Sequence, residues 1–102
     1  MAQFDFYQYK KRGKPEIFLV DIQSDLLDDM NTRVVIPIRP LDPGQKPIRI
    51  LQPTIEWALG TYYFSTSEMA AISTAELKLK MGNLSEMRSE IIAAIDLLFT
   101  GI

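Results

Sequence analysis

The stretch Leu84 to Ile102, LSEMRSEIIAAIDLLFTGI, is the only long segment with unambiguous helical periodicity, and it constrains everything before it. Leu84, Met87, Ile91, Ala94, Ile95, Leu98 and Ile102 recur at steps of three and four, which places them in one apolar stripe on a helix. Such a stripe needs a core supplied by the preceding chain. Ser85 with Glu86 in the first turn fits a helix start, and Asn83 followed three residues later by Glu86 fits equally well. On the opposite face Ser89, Ala93, Asp96 and Thr100 form a seam of small and polar side chains, flanked by Ile92 and Phe99. No Lys or Arg lies in the last turn, while Asp96 and the Ile102 carboxylate add negative charge at the negative end of the helix dipole. A cationic partner would relieve that charge; the plain alternative is a solvated polar face.

The remaining segments read mostly as strands. Gln3 to Tyr9 alternates, with Phe4 and Phe6 on one face and Asp5, Tyr7 and Tyr9 on the other, as in a half-buried strand. KKRGKP turns the chain, and Glu16 to Ile22 is apolar enough on both faces for a central strand, pairing with the first as a hairpin. Lys10, Lys11, Arg12 and Lys14 at the tip form a solvated charge run or a contact for an acidic peptide. QSDLLDDMNT holds Leu26 and Leu27 among Asp25, Asp28 and Asp29. The aspartate spacing is not that of a calcium loop, so no metal site is expected and the leucines either tuck inward or meet a partner.

Arg33 to Ile38 is a third strand, in which Pro37 argues for an edge position or a bulge. RPLDPGQKP is a loop with a turn at Asp42-Pro43-Gly44. Ile48 to Gln52 and Thr54 to Leu59 continue as strands interrupted by Pro53, and Gly60 turns the chain into the tyrosine-rich strand Thr61 to Thr66. Between Glu68 and Lys80 the pattern suggests a short turn or helical loop and then a strand, AELKLK alternating like an edge strand with Lys outward. With no repeats or linkers, residues 1 to 102 read as one domain, mainly β with one C-terminal helix.

Composition excludes several chemistries. The chain has no cysteine and no histidine, which removes disulfides, Cys/His zinc sites, thiol nucleophiles and Ser-His catalysis. A net charge of −2 argues against a general nucleic-acid binder, whose footprint is basic. No apolar run approaches the ~20 residues of a membrane span, and the N-terminus does not read as a signal peptide, so a cytoplasmic location is expected. At this length dimerisation would add stability.

Several motifs together resemble the CcdB-type toxins of plasmid and chromosomal toxin–antitoxin modules. They are Gln3-Phe4 with Tyr7 and Tyr9, VDIQSDLLD at Val20 to Asp28, VVIPI at Val34 to Ile38, Met69-Ala70, and IIAAIDLLFTGI ending at Ile102. The resemblance spans essentially the whole chain. It implies an SH3-like small β-barrel or antiparallel sheet with a C-terminal helix, a fold shared with the toxins MazF and Kid, and a symmetric homodimer. It also implies function by binding, without catalytic residues or cofactors. The toxins of this family bind the A subunit of DNA gyrase and trap its complex with cleaved DNA, and a CcdA-type antitoxin neutralises them with an arm that folds on contact.

Carried over by motif, target contacts fall on Ser24 and Leu26 and on Phe99, Gly101 and Ile102. Thr100 departs from the tryptophan that familiar members place before the terminal Gly-Ile, and Asp96 from a common asparagine. Against a target arginine, Asp96 and the terminal carboxylate would supply charge-assisted hydrogen bonds in place of aromatic stacking. Besides a bare dimeric scaffold, two rival functions remain. One is a MazF/Kid-like endoribonuclease using Arg33 or Arg39 with an Asp. The other is a weakened homologue that sequesters antitoxin.

Overall fold

The computed structural model describes residues 1–58 and 60–101, so the sequence expectations for Leu59 and Ile102 lie outside the described residues. Seven strands form one antiparallel sheet: β1 Asp5–Tyr9, β2 Ile17–Asp21, β3 Thr32–Pro40, β4 Thr54–Trp57, β5 Gly60–Phe64, β6 Ala70–Ser73 and β7 Leu79–Asn83. The helix α1 spans Arg88–Thr100. The strand order is β4-β5-β3-β2-β1-β7, with β6 beside β3.

Aromatic contacts show how strongly the sheet curls. Three strands separate β4 from β1 in the order, yet the Trp57 ring meets the Phe6 ring edge-on at 5.1 Å. Phe18 of β2 likewise reaches Tyr62 of β5 at 5.4 Å across β3, and Phe6 meets Phe18 at 5.9 Å. A flat sheet with strands about 4.8 Å apart could not bring Trp57 to Phe6. The result is a half-barrel around Phe4, Phe6, Phe18, Val20, Ile36, Ile38, Phe64, Leu84 and Ile91. The stripe of α1 lies on this core: Ile91 and Ala94 are buried, and Met87 and Ile95 pack against it.

The other face carries a smaller cluster of Tyr7, Leu19, Val35 and Leu77. Both faces of β1 and β2 are therefore covered, as expected for β2 but more than the half-burial expected for β1. The β1–β2 hairpin has the expected pairing, Phe6 opposite Val20 and Tyr9 opposite Ile17. Strand β7 is the outer neighbour of β1, and its Lys80 reaches Asp5 at 3.3 Å.

Four expectations are corrected. Strand β3 is central, despite Pro37: it pairs with β2 along one side and, along the other, with β6 over Thr32 to Val35 and β5 over Ile38 to Pro40. Pro37 sits at the changeover, where its carbonyl accepts from the Ser65 N–H at 2.8 Å and its missing N–H interrupts no ladder. Ile48 to Gln52 is a turn rather than a strand. There the Gln52 carboxamide accepts from the Ile48 N–H, and the Gln52 N–H donates back to the Ile48 carbonyl, both at 2.8 Å, closing a loop with Ile50 at φ 70°.

Third, Gly60 already belongs to β5, and Ala58 at φ 49° lies in the connection; β5 ends at Phe64, before a 3-10 turn over Thr66–Glu68. Fourth, Ala70–Ser73 forms a strand that the composition of small residues concealed, followed by a 3-10 turn over Thr74–Glu76 and then β7. The helix begins later than the stripe suggests. A 3-10 turn, Ser85–Met87, precedes Arg88, and the Asn83 carboxamide accepts from the Ser85 N–H at 2.8 Å. At the far end Gly101 takes φ 74° and its N–H donates to the Leu97 carbonyl, an αL cap that needs no basic residue.

Gly82 of β7 faces Phe6 so closely that a Cβ there would lie 3.0 Å from the ring. Gly82→Ala is expected to lower stability by about 1–3 kcal/mol through displacement of Phe6, measured by urea denaturation. Asp5 supplies a pH signature. Burial raises its pKa, but bonds from Asn83, the Ala2 N–H and Lys80 outweigh that and hold it below the ordinary value of 3.8. Its ionised form therefore stabilises the fold above that value, and the contribution is lost as pH falls through the lower folded value. The stability gap between the wild type and Asp5→Asn is expected to be constant at neutral pH and to narrow below about pH 4 in denaturation curves.

Candidate functional site

Ser24 begins a 3-10 turn, Asp25–Leu27, by accepting the Leu26 N–H on its hydroxyl at 3.2 Å. The Asp25 carboxylate accepts from the Gln3 N–H at 2.7 Å, which ties the turn to the start of the chain. Leu26 is held 93% exposed, with Leu27 and Met30 half exposed beside it. Of the two outcomes for the leucines, outward display is the one found. A leucine held in water forgoes about 1.5–3 kcal/mol of burial, so this turn is not arranged for the stability of its own chain.

The turn rests on a buried polar layer. Arg33 of β3 is 1% exposed, and its Nε donates to the Asp21 carboxylate of β2 at 2.7 Å. Its Nη2 donates to the Gln23 carbonyl and lies 3.8 Å from Asp25, while Nη1 has no hydrogen-bond partner among the described residues. Burial pushes the Asp21 carboxyl up from its ordinary value, against the pull of Arg33 and the Gln23 N–H. The same burial raises the Tyr7 hydroxyl. Sequence reasoning gave this layer no part in displaying Leu26, although an Arg and an Asp at inward positions of adjoining strands could have pointed to it.

The end of α1 is the second exposed region. Ser89, Ala93, Asp96 and Thr100 are all exposed, as the helix seam requires, and Phe99 is 68% exposed. The Thr100 hydroxyl donates to the Asp96 carbonyl at 2.7 Å, so its proton is used within the helix. Among the described residues, no hydrogen bond or ion pair reaches the Asp96 carboxylate. Gly101 is exposed, and Ile102 lies outside the described residues.

The third region is the hairpin tip, where Lys10, Lys11, Arg12 and Lys14 are exposed. Lys11 and Lys14 join Tyr9, Pro15, Ile17 and Arg39 around a shallow cleft of about 260 Å³, with the Lys11 ammonium 5.8 Å from the Tyr9 ring centre. Sequence reading took only the charges; the register Tyr9 opposite Ile17 adds an apolar floor. Arg39 donates from Nε and Nη2 to Glu68, at 2.8 and 3.3 Å. Arg39 and then Ser65 hold the Glu68 carboxyl below its ordinary range.

Residues 3–101 match the protein family described as CcdB protein. The chain belongs to the CcdB family. It is accordingly a toxin of the toxin–antitoxin kind, and the curled antiparallel sheet with a C-terminal helix is the fold expected from that resemblance. CcdB membership carries, in general terms, an antitoxin and gyrase as partners. Among the described residues, no helix is long and apolar enough to cross a membrane. Nor is there a group of three or more acidic residues that could hold a metal ion.

Display without a packing role has a direct consequence for stability. Leu26→Ser and Phe99→Ser are each expected to change unfolding free energy by less than about 0.5 kcal/mol, as read from thermal and urea melts. A loss of several kcal/mol would mean that these side chains are anchored within the chain itself.

Proposed function

We propose that this CcdB-family chain poisons DNA gyrase by binding its A subunit, without bond chemistry of its own, so that the complex with cleaved DNA persists. The observation that carries the reading is Leu26, exposed almost completely on a turn built of hydrogen bonds. Ser24 and Leu26 on that turn, with Asp96, Phe99, Thr100, Gly101 and Ile102 at the helix end, form the contact set. Phe99 supplies the aromatic anchor. Asp96 supplies an uncommitted carboxylate for a target arginine, and the inward bond of Thr100 leaves that task to Asp96.

The engagement of Arg33 favours binding over ribonuclease action. A nuclease needs a cation free to meet the scissile phosphate. Arg33 is sealed against Asp21, whereas Arg39 pairs with Glu68 at the surface, an exchangeable contact, so the burial of Arg33 carries this point. An acidic antitoxin arm suits the hairpin tip of Lys10, Lys11, Arg12 and Lys14, of which Lys11 and Lys14 line the cleft where apolar side chains can enter beside Tyr9 and Ile17. The acting species on this reading is a cytoplasmic homodimer.

Calorimetric titration of the gyrase A subunit tests the contact set. Wild type is expected to bind, Phe99→Ser to bind about 30-fold more weakly, the loss of an interface anchor of about 2 kcal/mol, and Asp96→Leu to weaken binding as well. Absence of wild-type binding, or equal affinity for all three proteins, contradicts the proposal. Fragmentation of RNA by the purified protein would replace it with the enzymatic reading.

A further inference from the structure

We infer that Gln23 is the positioning residue that sets where Leu26 stands, a role that rests on the reading of Leu26 as a partner contact. Gln23 is 8% exposed and every polar group it has is bonded. Its N–H donates to Asp21 at 3.0 Å and its carbonyl accepts from Arg33 at 3.3 Å, which root its backbone in the buried ion pair. Its carboxamide then spans from sheet to turn. The Oε1 accepts from the Val34 N–H at 3.1 Å, and Nε2 donates to the Leu27 carbonyl at 3.1 Å and the Thr32 carbonyl at 3.3 Å.

A 3-10 turn of three residues does not hold its own shape in water, because few backbone bonds repay the ordering of the chain. This one has one bond of ordinary length at its start, Leu27 to Ser24 at 3.0 Å, and long bonds beyond it, Asp28 to Asp25 and Met30 to Leu27, each at 3.3 Å. The Leu27 carbonyl receives its shorter bond from Gln23. Only a side chain that donates and accepts at one carboxamide can bond Val34 and Leu27 together. Glutamate keeps the acceptor and loses the donor. Gln23→Glu therefore dissects the two halves of the carboxamide: it keeps the bond from the Val34 N–H and gives up the Nε2 bonds to Leu27 in the turn and to Thr32 of β3.

The test compares wild type, Gln23→Glu and Leu26→Ser by amide hydrogen exchange and by affinity for the gyrase A subunit. In Gln23→Glu, the amides of Leu26, Leu27 and Asp28 are expected to exchange at least about 10-fold faster while those of Phe18 to Val20 in the core are unchanged, and affinity is expected to fall at least about 10-fold. Leu26→Ser is expected to lose affinity with normal exchange at its neighbours. If Leu26→Ser binds weakly but Gln23→Glu binds like wild type, the positioning role is overturned and the contact reading stands. If Leu26→Ser binds like wild type, the contact reading falls and takes this role with it. Should Gln23→Glu not fold, Gln23→Met takes its place: turn exchange and affinity like those of wild type overturn the inference, and faster turn exchange with weaker binding upholds it.

Discussion

Asp21 and Arg33 meet at 2.7 Å between two adjoining strands, with almost no solvent at either side chain. Removing two charges from water costs several kcal/mol per ion, and their attraction offsets that only when geometry and further hydrogen bonds are good. Here the Gln23 N–H completes Asp21 and the Gln23 carbonyl takes one nitrogen of Arg33, yet Nη1 has no partner among the described residues. An apolar pair of similar volume would serve stability as well or better. What the ion pair provides is direction: it fixes β2 against β3 at the point where the chain leaves the sheet, and Gln23 carries that registration into the turn.

Around this layer the molecule divides its labour. One sheet face and α1 enclose the aromatic core, and the closure of Trp57 on Phe6 curls the sheet. The other face holds the smaller cluster and the ion pair. Of the apolar side chains that the core does not use, the two most exposed are Leu26 on its turn and Phe99 at the helix end. Positive charge gathers at a third place, the hairpin tip. The three regions thus offer surfaces of different chemistry.

The helix was legible because its stripe follows one period over many residues, and the hairpin because two apolar runs flank Gly13 and Pro15. Both depend on local pattern. Pro37 misled because its meaning depends on which strand lies beside it, and β3 exchanges β6 for β5 just there. Ile48 to Gln52 misled because the alternation of Ile48 and Ile50 was overruled by one glutamine closing a loop on its own backbone. The exposure of Leu26 was visible as an alternative, but its support by Gln23 was not, since a carboxamide looks the same in sequence whether it bonds to water or to three backbone groups. Motifs across the chain pointed to the CcdB family; Thr100 showed its inward bond only once the helix was in place.

On the proposed reading, harm comes from contact made by the helix end and the 24–27 turn, with no bond broken by the chain itself. Its most direct measurement is the amount of linear DNA formed when gyrase and supercoiled plasmid are incubated with the intact protein or with one lacking residues 100–102. Linear DNA with the intact chain and its loss with the shortened one, both folded, is the expected result. Equal amounts of linear DNA with the two proteins would contradict the account.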